Sequence, residues 1–123
     1  MQYRTYHGCA LPIHHQLGSI AAWNDEEHVK ANRQQYREKF SAVLAGFAGH
    51  LPVTAPEAGF YLWPRTPLSD TEFARELYAG ENVIVLPGRF LAREAGGINP
   101  GENRVRMALV ASKEHCVEAA QRI

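Results

Sequence analysis

The chain is short of lysine. Only Lys30, Lys39 and Lys113 occur in 123 residues, and the other ten cations are arginines. Arginine presents a planar fork suited to carboxylate and phosphate, whereas lysine serves Schiff-base and base chemistry. The bias therefore leans towards binding anions. Net charge is also missing: thirteen Lys+Arg stand against thirteen Asp+Glu. A neutral chain gives no support to a nucleic-acid or membrane-surface role, because both usually need a basic excess. Cysteine is limited to Cys9 and Cys116, which are far apart and match no CxxC pattern. With no signal peptide visible, free thiols in a reducing cytoplasm are expected. No apolar run approaches the length of a membrane span. The six histidines form no ligand spacing. His14 and His15 are adjacent and diverge, and His7, His28, His50 and His115 are scattered. No metal site is expected.

What is present is an ordinary globular balance, 46% hydrophobic and 21% charged, with enough chain for one modest core. Residues 1–13 sustain no periodicity and read as a loop or extended lead-in. His14 to Trp23 predicts a short helix with Leu17, Ile20 and Ala21 on one side. Asn24 with Glu27 three residues later reads as a capping box opening a second helix of about 22–25 residues. Val29, Tyr36, Phe40, Val43, Leu44 and Phe47 recur there at helical spacing, with Arg33 on the same side. At roughly 35 Å, that helix is long for so small a domain and is expected to reach past it. Ala58–Pro64 predicts an aromatic strand. Ser69 and Glu72 open a third helix, closed by Gly80. "NVIVLPG" predicts a strand, Arg89–Asn103 a long connection, and Ser112 caps a last helix through Ala120. The order is helix, helix, strand, helix, strand, strand, helix. It predicts a two-layer α+β fold, with a long N-terminal helix and a small three- to four-stranded sheet covered by helices. The opening residues have no cap and no strand of their own, and the whole of 1–123 reads as a domain cut from a longer protein.

The stretch "ENRVRMALV", Glu102 to Val110, is the most informative. In a strand, side chains alternate between two faces. Val105, Met107 and Leu109 then share one face, the one helices must cover. Arg104 and Arg106 share the other, which looks outward. A strand-held arginine is a good carboxylate fork. The plainer alternative is a surface arginine paired with Glu94 or Glu102, which would contribute little. "VLPGRF" is equally consistent with a common turn, and the aromatics of "EAGFYLW" with core packing.

The order and spacing of these pieces are more specific than any one of them. "GFYLW", a short helix, "NVIVLPGRFLARE" and "NPGENRVRMALV" together resemble the C-terminal small domain of the class I/II, fold-type I, pyridoxal-phosphate aminotransferases, over essentially the whole chain. With the lead-in "YRTYHGCALPIHHQLGSIAAWNDEEHVKANRQQYREKF", the resemblance is closest to the proteobacterial N-succinyldiaminopimelate aminotransferase group. The resemblance implies a substrate-clamping domain. Arg106 would pair with the α-carboxylate of an amino acid or keto acid substrate, and the loop Arg89–Asn103 would close over it. The Gly96-Gly97 and Pro100-Gly101 pairs of that loop would permit the motion. Arg104 has no role carried over and is left to a salt bridge.

The resemblance also implies that the Schiff-base lysine lies upstream, in a large cofactor-binding domain absent here. None of Lys30, Lys39 and Lys113 has the Ser-x-x-Lys-type context. Lys30 and Lys39 read as part of a solvated helix face. No catalytic or cofactor-binding residue is expected within 1–123, and pyridoxal phosphate would be held by the missing domain. The fragment alone would be inactive. The full enzyme would be a homodimer, with Arg4 and His7 candidates for reaching the partner subunit's site. It would pass an amino group from glutamate to a succinylated keto acid in lysine and diaminopimelate synthesis. The alternatives are an aminotransferase for aspartate or aromatic substrates, and a non-catalytic α+β module binding an acidic ligand or a protein.

Overall fold

The computed structural model describes residue 8 and residues 10–47 and 49–123. Arg4, His7 and Cys9 lie outside the described residues. The chain falls into two units, residues 1–34 and 35–123.

In the first unit, α1 spans Ile13–Asn24, with Leu17 and Ile20 exposed and no buried residue. Asn24 ends this helix and does not cap the next. The cap falls to Asp25, whose Oδ1 accepts from the Glu27 N–H at 3.1 Å while its own N–H closes α1 on Ala22. Asp25 also pairs with His28, and Glu27 with Lys30. The second helix, α2, spans Glu26–Gly46, slightly shorter than expected, and its residues up to Gln34 fall in the first unit.

The second unit holds a three-stranded sheet in the order β1-β3-β2, both pairings antiparallel. Strand β1 is Tyr61–Leu62, β2 is Leu86–Pro87 and β3 is Val105–Ala108. Helix α3 (Asp70–Glu81) lies between β1 and β2, and α4 (Lys113–Arg122) follows β3. The α+β architecture expected from the sequence is present, but the strands are much shorter than the apolar runs. Strand β3 pairs with β1 at Met107 and Ala108 and with β2 at Val105 and Arg106.

Alternation along β3 builds the core. Val105, Met107 and then Leu109 are buried with Leu62 of β1, Val43 of α2, Phe47, Leu77 of α3, and Cys116 and Ala120 of α4. Tyr36, Phe40 and Leu44 pack against this cluster, so the helical spacing of α2 is used as the sequence implies. The aromatics beside Leu62 are not core: Phe60 and Tyr61 are exposed. Burial pushes the Cys116 thiol up, which makes it a poor nucleophile.

Both later caps form where the sequence puts them. The Ser69 hydroxyl accepts from Glu72 N–H at 3.4 Å and Ser112 from His115 N–H at 3.3 Å. The end of α3 differs: Gly80 stays inside the helix, and Asn82, at φ 54°, makes the left-handed cap. Asparagine tolerates that region better than most residues. Lys39 is not simply solvated. It is half-buried, donates to the Leu109 carbonyl at 3.1 Å and lies 5.1 Å from the Tyr36 ring centre, tying α2 to the end of β3. Among the described residues no helix is long and apolar enough to cross a membrane.

Among the described residues one charge is fully buried. Asp70, at the first turn of α3, is 0% exposed. Its Oδ1 accepts from Arg89 Nε at 2.7 Å and its Oδ2 from Arg89 N–H at 3.0 Å. Burial alone would raise its pKa. The Arg89 and Asn103 N–H groups and the Arg89 guanidinium outweigh burial and hold the carboxyl below its ordinary 3.8.

Two outcomes follow for stability. Leu62→Ala should lower the unfolding free energy of the chain by about 2–5 kcal/mol in urea titrations, while Ile84→Ala, at an 82% exposed position, should stay within about 0.5 kcal/mol. For Asp70, whose folded-state pKa is depressed, the stabilisation is complete above the unfolded value of 3.8 and is lost as pH falls through the lower folded value. Urea midpoints measured from pH 6 down through that window should fall in the parent chain. In Asp70→Asn they should be lower at pH 6 and fall less steeply.

Candidate functional site

The face of β3 opposite the core carries Arg104 and Arg106, both half-buried. Cross-strand register fills the rest of that face. Tyr61 opposes Ala108 and Arg65 opposes Arg104, which sets Trp63 beside Arg106 on the β1 side, with Leu86 opposite it on β2. Both arginines lie on the face away from the core, as the sequence suggests, but that face is not bare. The returning loop 89–103 stands over the sheet, and between them lies a cleft of about 520 Å³ lined by Tyr61, Trp63, Leu91, Ala92, Pro100, Gly101 and Arg106.

Among the described residues Arg106 is the only charged one in that lining. Its guanidinium carbon sits 5.9 Å from the centre of the Tyr61 ring, a cation–π distance that leaves the N–H fork available. Among the described residues no carboxylate pairs with it. The plainer sequence reading, a pair with Glu94 or Glu102, is not what forms: Glu102 lies 3.6 Å from Arg89 instead. Arg104 departs from its expected salt bridge as well. It donates through Nη1 to the Trp63 carbonyl at 3.1 Å and takes no part in the cleft lining. Adjacent positions on one strand face thus have different fates: one cation braces β1 and the other faces a cavity.

Trp63 and the loop meet at a tight crossing. A side-chain carbon on Gly88 would collide with the Gly101 carbonyl, and would come within 2.7 Å of the Arg104 carbonyl and 2.9 Å of the Trp63 ring. One on Gly101 would collide with Gly88 in turn. Gly101 is therefore required for close approach. The left-handed residues of the loop are Gly96 and Gly97, at φ 59° and 75°, within a turn closed by Ala95 and Ile98, and Asn103, at φ 55°, at its end.

The arrangement can bind one carboxylate against an aromatic and apolar wall. The three lysines are engaged elsewhere: Lys30 pairs with Glu27, Lys113 lies 3.8 Å from Glu38, and Lys39 donates to the Leu109 carbonyl, and none of them is among the described residues that line the cleft. Among the described residues no group of three His, Cys, Asp or Glu could hold a metal ion. Alternation about buried Leu62 was the available signal for Tyr61 and Trp63 as cleft residues. Leu91, Ala92, Pro100 and Gly101 fall in the loop Arg89–Asn103 that the resemblance places over the substrate, but nothing in the sequence singled them out within it.

Comparison with known proteins gives this geometry a context. The family model for aminotransferases of class I and II matches residues 3–123. An aminotransferase of known structure from Neisseria meningitidis is 50% identical, with a TM-score of 0.88 over 98% of this chain and 31% of that one. A probable N-succinyldiaminopimelate aminotransferase from Thermus thermophilus is 34% identical, with a TM-score of 0.70 over 85% of this chain and 27% of that one. An LL-diaminopimelate aminotransferase from Syntrophobacter fumaroxidans is 30% identical over 86% of this chain and 26% of that protein. The chain thus spans about a third or less of the length of such relatives. Since the match runs over nearly all of its residues, the chain belongs to the family of class I and II aminotransferases.

Proposed function

We propose that this chain is the C-terminal, substrate-clamping domain of a longer, dimeric aminotransferase, and that Arg106 binds the substrate α-carboxylate. The observation that carries the reading is a strand-held arginine with no carboxylate partner among the described residues, facing a cleft in which it is the sole charge. A rigid strand fixes the fork, and a bidentate pair fixes the orientation of the bound acid. The family depends on pyridoxal phosphate, which supplies an electron sink for amino transfer. Lys30, Lys39 and Lys113 do not fit its attachment, which supports a large domain upstream that holds it.

For the substrate, the reading is glutamate as amino donor and N-succinyl-2-amino-6-oxopimelate as acceptor. It is supported by likeness to a probable N-succinyldiaminopimelate aminotransferase at 34% identity and by several diaminopimelate aminotransferases near 30%. The apolar wall of Leu91, Ala92 and Trp63 suits a methylene chain, and a second carboxylate would need cations from outside this cleft.

The test is a kinetic comparison in the full-length enzyme. Arg106→Gln should cost on the order of 3–5 kcal/mol in transition-state binding, because the substrate carboxylate is left desolvated and unpaired. That is a loss of roughly a hundredfold to a few thousandfold in kcat/KM, for donor and acceptor alike. Arg106→Lys should recover part of it, since an ammonium cannot form the fork. Arg104→Gln should do much less. If Arg104→Gln is the more damaging change, the clamp belongs to Arg104.

A further inference from the structure

The two walls of the Arg106 cleft that do not belong to the sheet come from opposite arms of one loop. Leu91 and Ala92 are on the outgoing arm, and Pro100 and Gly101 on the returning arm. The width of the cleft is therefore set by whatever fixes the neck of that loop. Gly88 and Gly101 cross there with no room for a side chain. Around the crossing is a single polar network. Asp70 receives Arg89 through both its backbone N–H and its Nε, so one buried carboxylate holds the first residue of the loop, and the Asn103 N–H at the far end of the loop helps keep that carboxylate charged. Arg89 also reaches Glu102 at 3.6 Å, and its carbonyl accepts from the Asn99 side chain at 3.4 Å. Asn99 in turn accepts from the Gly101 N–H at 2.9 Å.

The tip is different. Ala95 and Ile98 exchange N–H···O bonds of 3.0 and 3.2 Å with each other around Gly96 and Gly97, a two-residue hairpin turn, and all four residues are exposed. A fully desolvated carboxylate is costly unless its geometry is complete. An ordinary surface loop has no need of one.

We propose that Asp70 and Arg89 are positioning residues for the Arg106 cleft: the pair locks the neck of the 89–103 loop so that both walls stand at a set distance from Arg106, and leaves only the tip, residues 95–98, free to move. As far as it concerns substrate, this rests on the functional reading above. The lock itself does not.

The experiment uses the full-length aminotransferase with Asp70→Asn, Arg89→Gln, Arg89→Lys and Glu102→Gln, and has two readouts. The first is amide hydrogen exchange. Exchange at Gly101 and Asn103 should rise by at least about tenfold in Arg89→Gln and Asp70→Asn, with residues 95–98 unchanged. The second is steady-state kinetics. KM for both amino donor and keto acid should rise by about ten- to a hundredfold with kcat within about threefold, the mark of lost positioning in binding and not of lost chemistry. Arg89→Lys, which keeps the charge and the backbone bond, should fall between parent and Arg89→Gln. If Asp70→Asn does not fold, the Arg89 and Glu102 variants carry the test. Unchanged exchange at Gly101 and Asn103 overturns the lock. Faster exchange with KM unchanged overturns the positioning role. A KM unmoved in Arg106→Gln, with neck exchange still rising in the Arg89 variants, would count against the carboxylate clamp and leave the lock standing.

Discussion

Strand β3 is four residues long and lies between both other strands, so each of its side chains is committed by a two-residue period. Val105 and Met107 must face the helices if there is to be a core. Arg106 then has to face the other way, fixed at its base by a ladder on either side. The precision of the cleft is a by-product of core packing: moving Arg106 would mean slipping the register, which would expose Val105 and Met107 to water. The same commitment explains why Arg104 and Arg106 are not equivalent. They share a face, but Trp63 reaches across to Gly88, and Arg104 takes the Trp63 carbonyl.

The loop completes what the strand begins. A sheet face with one cation on it is a surface, and it becomes a cleft because the loop 89–103 comes back over it. Two kinds of constraint meet at its neck. One is steric, the glycine crossing, and the other electrostatic, the buried carboxylate of Asp70. Neither adds a group to the lining except Gly101 itself. They act by fixing where Leu91, Ala92 and Pro100 stand.

Much of the fold could be read along the chain, because it is written in local rules. Ser69 and Ser112 cap the helices their spacing announces, the apolar residues of α2 pack as a helical stripe, and the element order is as expected. The errors arise where a partner decides the outcome. "NVIVLPG" has the composition of a strand but pairs with β3 only at Leu86 and Pro87, opposite Arg106 and Val105. Asn24 and Gly80 satisfy capping rules, but Asp25 and Asn82 do the capping. The site was legible as one residue type at one register, Arg106. Its outer wall was legible only as a whole loop, Arg89–Asn103, and not as particular residues, and Asp70 reads as a common first-turn acid until the fold brings Arg89 to it across nineteen positions.

The order of the sheet has a bearing on how such a piece behaves in solution. Its two borders are strands of only two residues, and Pro87 on one of them has no N–H to offer. A border that short, interrupted by an imide, is a poor template for another chain to add a strand.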